Sequence, residues 1–415
     1  MTHTEASIPS TDRLVEIASE LVAVDTQNPP GDTRELADWI GTFFKDRGIE
    51  TRRITSDPAK PNLVATIPGW SDRTLLFNGH MDTVPFDAAE RTYDPLGERV
   101  DDRLYGRGAT DMKGPLAAIL NTAERVVEAD REPPVTLAFA IVSDEETGGD
   151  AGVSTLVDSG VFDDLNPDAC VIGETTCSAG RHSVTVADRG SIWLTLEAEG
   201  TAAHGSRPML GTNAVDRLWA AIEYLRRRLS LRELPVEEAM RPIIAESADY
   251  YAPTLGQSAV ESLFVYPTIN LGTIEGGDAV NTVPGSARAE LDIRLTAGVD
   301  TATVLADIRD CLDDHSAVSV ADVRWSVGSY EPVDSPLVEA VTTVASAVVD
   351  DRIYRRSATG GGDAKTFRHA GVPTVEFAVG TETAHAVDEY TTDEALRRTA
   401  AVYERLPAAV AESGQ

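Results

Sequence analysis

Apolar residues follow two rhythms along this chain. Short unbroken apolar runs occur at 62–67 (NLVATI), 74–79 (TLLFNG), 135–142 (VTLAFAIV), 169–173 (ACVIG) and 374–379 (TVEFAV). Runs of this kind predict strands covered on both faces. Stretches with helical spacing lie between them. They include 12–24, a helix running to about Arg47 that Asp32 or Thr33 could cap after the NPPGDT turn, and 114–129 with Pro115 near its start. Alternating strands and helices predict an α/β fold: a mixed, mostly parallel sheet flanked by helices on both faces.

The middle of the chain has the second rhythm. In SIWLTLEAEG (191–200), Ile192, Leu194, Leu196 and Ala198 alternate with Trp193, Thr195, Glu197 and Glu199. ARAELDIRL (287–295) alternates likewise. Such strands face a core on one side and solvent on the other. The stretch 213–229 has helical spacing. These features predict a smaller α+β domain at 188–298, inserted into a first domain formed by 1–187 and 299–415. The acidic stretch 231–265 is expected to be an irregular surface excursion.

Composition narrows the picture. The 415 residues allow two ordinary domains. A hydrophobic content of 42% predicts a globular chain. No apolar run approaches the roughly 18–20 residues that span a bilayer. The start, MTHTEASIPSTD, has neither a basic segment nor an apolar one, so no secretory signal is expected. With only 3 cysteines, Cys170, Cys177 and Cys311, a disulfide framework is not expected, and a cytoplasmic location is. The formal net charge of -32 argues against a nucleic-acid partner. The basic residues are nearly all Arg, since only Lys45, Lys60, Lys113 and Lys365 are lysines. Excess acid with scarce lysine predicts a surface adapted to high salt, where screening removes self-repulsion.

Chemistry gathers just after the apolar runs. His80 and Asp82 follow one run, Glu145 and Glu146 another, and Glu174 a third. Asp111 stands between a Gly-rich loop and a helix start, and His385 lies a few residues past the last run. In open α/β sheets ligands bind beyond the carboxyl ends of the strands, so one rule predicts a single rim for five separated segments. Singly, each residue has an ordinary alternative: a loop histidine, a helix cap, a solvated acidic face. Together they form a carboxylate and imidazole set suited to Zn, Mn or Co. Crowded carboxylates need counter-charge, which one or two divalent cations would supply.

GHMDTVP, GRGATDMKGP, SDEETGG, IGE, AHGSRP, NTVP and HAVDE, in this order from 79 to 389, resemble the motifs of the M20 family of dinuclear metallopeptidases and deacylases. The resemblance implies two divalent metal ions, Zn foremost, with Co or Mn possible. It implies His80, Asp111, Glu146, Glu174 and His385 as ligands, Asp111 bridging the two ions. Asp82 would accept the other ring N–H of His80. Glu145 would be the general base that moves a proton from the attacking water to the leaving nitrogen. His204, on the inserted domain, would help stabilise the oxyanion, often in the partner subunit's site. A cis Asp111–Met112 peptide is also implied.

Asn281 and Arg294 match positions that contact substrate, and Arg suits bidentate carboxylate binding; a solvent-facing strand position explains Arg294 equally. The TGGGDAKTF segment, with Gly361, Asp363 and Lys365, resembles a substrate loop, and a simple turn would also explain its glycines. His3, His182, His315 and His369 match no motif. The implied activity is hydrolysis of the amide of an N-acyl amino acid, of the acetylornithine deacetylase and succinyl-diaminopimelate desuccinylase kind. Di- or carboxypeptidase activity is the alternative. A silent binding protein or a metal buffer would not require Glu145 beside a full ligand set. A homodimer through the inserted lid domain is the implied assembly, with no nucleic-acid or membrane partner.

Overall fold

The structure is a computed structural model that describes residues 11–177 and 180–413. His3 and the N-terminal end of the expected first domain lie outside the described residues. The chain divides into two compact units. The first combines residues up to 186 with 331–356 and 362 onward; the second combines 187–330 with 357–361.

In the first unit, Thr74–His80 is the central strand. It runs parallel to Thr136–Val142 on one side and to Ala169–Ile172 on the other. Thr374–Glu376 lies parallel beyond Ala169–Ile172. Every residue of Thr74–His80 is buried, which is why its sequence is an unbroken run. Leu76, Ala138, Ala140, Cys170 and Ile172 pack on one face against Val153, Leu156, Phe162 and Phe367 from helices Val153–Asp158, Val161–Leu165 and Asp363–His369. On the other face Phe77 stacks on Phe139 at 6.0 Å and meets Tyr403 at 5.2 Å. Helix Lys113–Glu128 packs there too, buried continuously from Lys113 to Glu124.

The sheet is mixed: these four strands run parallel, and antiparallel strands extend it. Asn62–Ile67 pairs antiparallel with Thr136–Val142, and Thr51–Ile54 pairs antiparallel with Asn62–Ile67. The short 55–61 link between the last two permits only an antiparallel return, because a parallel pair needs a long crossover. The expected 374–379 strand ends at Glu376.

The second unit holds a four-stranded antiparallel sheet, in the order Thr268–Gly276, Ser286–Leu295, Gly190–Glu199, Val318–Ser326. Ile192, Leu194, Leu196 and Ala198 face a core shared with helices Ala214–Ser230 and Thr301–Asp313, while Trp193 is exposed. This unit runs past the expected boundary at 298, to 330. The reason is structural: Val318–Ser326 is an edge strand of this sheet, and Thr301–Asp313 covers its core face.

The 231–265 stretch differs from expectation. Helices Met240–Leu255 and Gln257–Leu263 occupy most of it. Met240, Ile243, Ser247 and Tyr250 are buried at helical intervals, a stripe that the surrounding acid and proline obscure. Among the described residues no helix is long and apolar enough to cross a membrane.

Candidate metal centre

The first unit's topology sets the site. Three parallel strands deliver His80 as a last residue, the Glu145–Thr147 turn just after Val142, and Glu174 just after Ile172. Asp111 precedes the Lys113–Glu128 helix, and the Asp111–Met112 peptide is cis. His385 follows the fourth parallel strand at a left-handed backbone position (φ 61°).

These side chains converge. His80 Nε2 lies 3.3 Å from Asp111 Oδ1 and 3.2 Å from Glu174 Oε1. His385 Nε2 lies 3.1 Å from Asp111 Oδ2 and 3.3 Å from Glu146 Oε2. Asp111 thus turns one carboxylate oxygen to each histidine. His80 Nε2 is fully buried, yet no hydrogen-bond partner is aligned with it. Deprotonated, that nitrogen would aim its lone pair among the carboxylates, an arrangement suited to a cation. His80, Asp111 and Glu146, and also His80, Glu145 and Glu174, each present donor atoms within 4.8 Å of one another. The donor set is oxygen and imidazole nitrogen, which fits divalent zinc, manganese or cobalt.

The electrostatics show what the cluster costs without a cation. Burial, with Glu174, Asp363 and Glu146 nearby, pushes Glu145 well above the usual carboxylate range, while His80 opposes this. Burial and Asp111 likewise raise Glu174. Hydrogen bonds to Asp111 and Glu146 raise His385 to about 10. Burial opposes charge on His80, but Asp111, Asp82 and Glu174 together raise its pKa well above 6.5. Burial would raise Asp111 as well; the two histidines prevail and hold it low. Protons therefore do the work of counter-charge in this arrangement.

Three further carboxylates hold the ligand-bearing turns. Asp82 is fully buried and accepts from the backbone amides of Glu145 and Glu146, both at 3.2 Å, and from the Asn28 side chain at 2.8 Å. The nearer acceptor for His80 Nδ1 is the Asp82 carbonyl at 2.9 Å; the carboxylate lies at 3.5 Å. The expected Asp82 carboxylate contact is thus the longer of two, because that group is turned toward the glutamate turn. Glu389, also fully buried, pairs with Arg107 at 2.6 Å. It accepts from the amides of Gly108, Thr110 and Asp111 at 3.0–3.1 Å. Asp144 sits in a left-handed conformation beside Lys60 and accepts from Ala151 N at 3.0 Å. Burial would raise Asp144, but Lys60 and Thr147 hold it at about 2.

The other candidate residues fall in two groups. In the first unit Asp363 is buried, with one oxygen unpartnered, and burial raises it to about 7. A Cβ at Gly362 would lie 2.8 Å from Glu145 Oε1, so the glycine leaves that oxygen clear. Gly361 belongs to the second unit, as do His204, Asn281 and Arg294. There Gly205 N donates to Asn281 O at 2.5 Å, and His204 pairs with Thr282, bringing His204 and Asn281 together. Arg294 is half-buried and paired with Asp292 at 2.8 Å. Glu389, Arg107, Asn28 and Lys60 escaped sequence reasoning. Glu389 stands inside the HAVDE motif and could have been found; nothing in the sequence points from Lys60 or Asn28 to this site.

Comparison with known proteins gives consistent matches. The profile of "Peptidase family M20/M25/M40" matches residues 76–409. Succinyl-diaminopimelate desuccinylase of Sphingopyxis alaskensis is 30% identical over 400 residues, covering 94% of this chain and 96% of that protein. "Probable succinyl-diaminopimelate desuccinylase" of Staphylococcus epidermidis is 28% identical over 400 residues, covering 91% and 92%. Among solved structures, the M20 family metallo-carboxypeptidase Sso-CP2 of Sulfolobus solfataricus superposes with a TM-score of 0.80 at 21% identity, covering 96% of this chain and all of that one.

Proposed function

Because this chain belongs to peptidase family M20/M25/M40, a family of metal-dependent amide hydrolases, we propose that it uses two divalent metal ions to release the acyl group of an N-acyl amino acid. The observation that carries this proposal is the pairing around Asp111, one oxygen toward His80 and the other toward His385. His80, Glu174 and Asp111 would hold one ion, and His385, Glu146 and Asp111 the other. The four carboxylates Asp111, Glu145, Glu146 and Glu174 would balance the charge of two divalent cations. Bound there, the ions would polarise the scissile carbonyl and make the attacking water more acidic. Zinc is the proposed metal, with cobalt or manganese as alternatives.

Glu145 takes a proton from the attacking water and delivers it to the leaving nitrogen. Asp82 fixes the Glu145 and Glu146 amides, so the base and the adjacent ligand share one support. Glu389 fixes the backbone that carries Asp111. On family resemblance, His204 is proposed to help stabilise the oxyanion and Asn281 and Arg294 to contact substrate, with the second unit as lid and dimerisation domain. A cytoplasmic, salt-adapted homodimer completes the proposal.

The test is a hydrolysis screen in high salt, with Zn, Mn and Co added separately, over N-acetyl, N-succinyl and dipeptide substrates. Release of acetate or succinate supports the deacylase assignment. Cleavage confined to dipeptides replaces it with a peptidase. Mixing His204→Ala with Glu145→Gln subunits tests action in trans, which predicts partial recovery of activity.

A further inference from the structure

Behind the Glu145–Glu146 turn lies a polar network with no part in metal ligation. The Asn28 side-chain nitrogen lies 2.8 Å from Asp82 Oδ2, 3.0 Å from Asp144 Oδ1 and 3.1 Å from Thr147 Oγ1. Lys60 Nζ pairs with Asp144 Oδ1 and lies 3.3 Å from Asn28 Oδ1. Its side chain is only 14% exposed, unusual for a residue type that ordinarily keeps its charge in water. Thr147 Oγ1 closes the ring by donating to Asp144 Oδ1 at 2.6 Å. Asp144 in turn fixes the far side of the turn, accepting from Ala151 N and, through its carbonyl, from Gly149 N. Gly31 leaves room for this arrangement: a Cβ there would lie 2.6 Å from Lys60 Cε and 2.7 Å from Asn28 Oδ1.

We propose that Lys60 is a positioning residue for the Glu145–Glu146 turn, acting through Asp144 and Asn28. Asp82 and Asp144 grip the turn from two sides, and Asn28 joins them. Two carboxylates this close, both bonded to one amide group, need a cation to stay together. Lys60 supplies it, its ammonium paired with Asp144 Oδ1. Without that charge Asp144 is a buried, uncompensated anion. The turn then loosens, and the proposed base and an adjacent ligand loosen with it. The catalytic part of this proposal rests on the hydrolase function above; the structural part does not.

The experiment compares Lys60→Met and Lys60→Arg with the unaltered chain, without added metal, by hydrogen exchange. In Lys60→Met the amides of 143–152 should exchange about tenfold faster, with other peptides of the unit unchanged. Lys60→Arg should restore protection. On a hydrolysed substrate, Lys60→Met should lower kcat about ten- to hundredfold, with KM within about twofold. Lys60→Gln, which keeps a donor without the charge, takes the place of Lys60→Met if the latter does not fold. Unchanged exchange in 143–152 overturns the proposal. So does faster exchange spread over the whole unit, or Lys60→Arg behaving like Lys60→Met. If the unaltered chain hydrolyses no acyl amino acid or dipeptide, the proposed function falls, while the exchange comparison still decides the role of Lys60.

Discussion

Glu145 and Glu146 are neighbours with different surroundings. Glu146 Oε2 faces His385, whereas Glu145 lies by Gly362 and Asp363, and burial raises its pKa. The expected outcome is an asymmetry. Glu146→Gln should lose bound metal by elemental analysis. Glu145→Gln should keep it and lose about a hundred- to ten-thousandfold in kcat. Near-full turnover by Glu145→Gln would remove it as the base. A second outcome concerns protons. His385 in the metal-free site titrates at about 10, so near neutral pH it must shed a proton before it can ligate. Metal binding should therefore release protons, read by calorimetry in buffers of different ionisation enthalpy. The same shift has a stability consequence. A histidine raised from 6.5 to about 10 contributes stability that is fully present below the lower value and lost as pH rises through the upper one. Metal-free protein should thus lose melting temperature across that window, and metal-loaded protein should lose less.

At the scale of elements, loops from distant parts of the chain depend on single buried groups. Glu389 ties the 107–111 loop to the segment that follows His385, and Arg107 neutralises it. Arg107→Met leaves that carboxylate buried and unpaired, with an expected cost of about 3–5 kcal/mol in denaturant unfolding. The Met240–Leu255 helix offers a contrasting case. Ile243 is fully buried, so Ile243→Ala should cost about 2–5 kcal/mol, whereas a surface excursion would tolerate it. The strands were legible because period and burial agree: the Thr74–His80 run is buried throughout, and Gly190–Glu199 alternates. The Met240–Leu255 helix was not, because its stripe of Met240, Ile243, Ser247 and Tyr250 includes a polar residue and its chain includes Pro242 and Pro253. The second unit's true end was hidden for a different reason. Whether Val318–Ser326 joins one sheet or another depends on pairing with Gly190–Glu199, far away in sequence.

For the whole molecule, charge dominates. A net charge of -32 favours expansion at low salt, and among the four lysines only Lys45 is exposed. Melting temperature should rise markedly between low and multimolar potassium chloride; an unchanged value would count against a salt-adapted surface. The sequence by itself determined the donor chemistry and where it would gather. Apolar runs mark parallel strands, and parallel strands release their next residues at one rim, so His80, Glu145, Glu146 and Glu174 converge by local pattern and one topological rule. Tertiary structure alone decided how those residues are held. The Asp82 carboxylate lies closer to the amides of the glutamate turn than to the ring of His80, Glu389 and Arg107 brace Asp111, and Lys60 reaches Asp144 across 84 positions of chain. Such contacts join residues that share no local period, and only the packed core brings them within hydrogen-bonding distance.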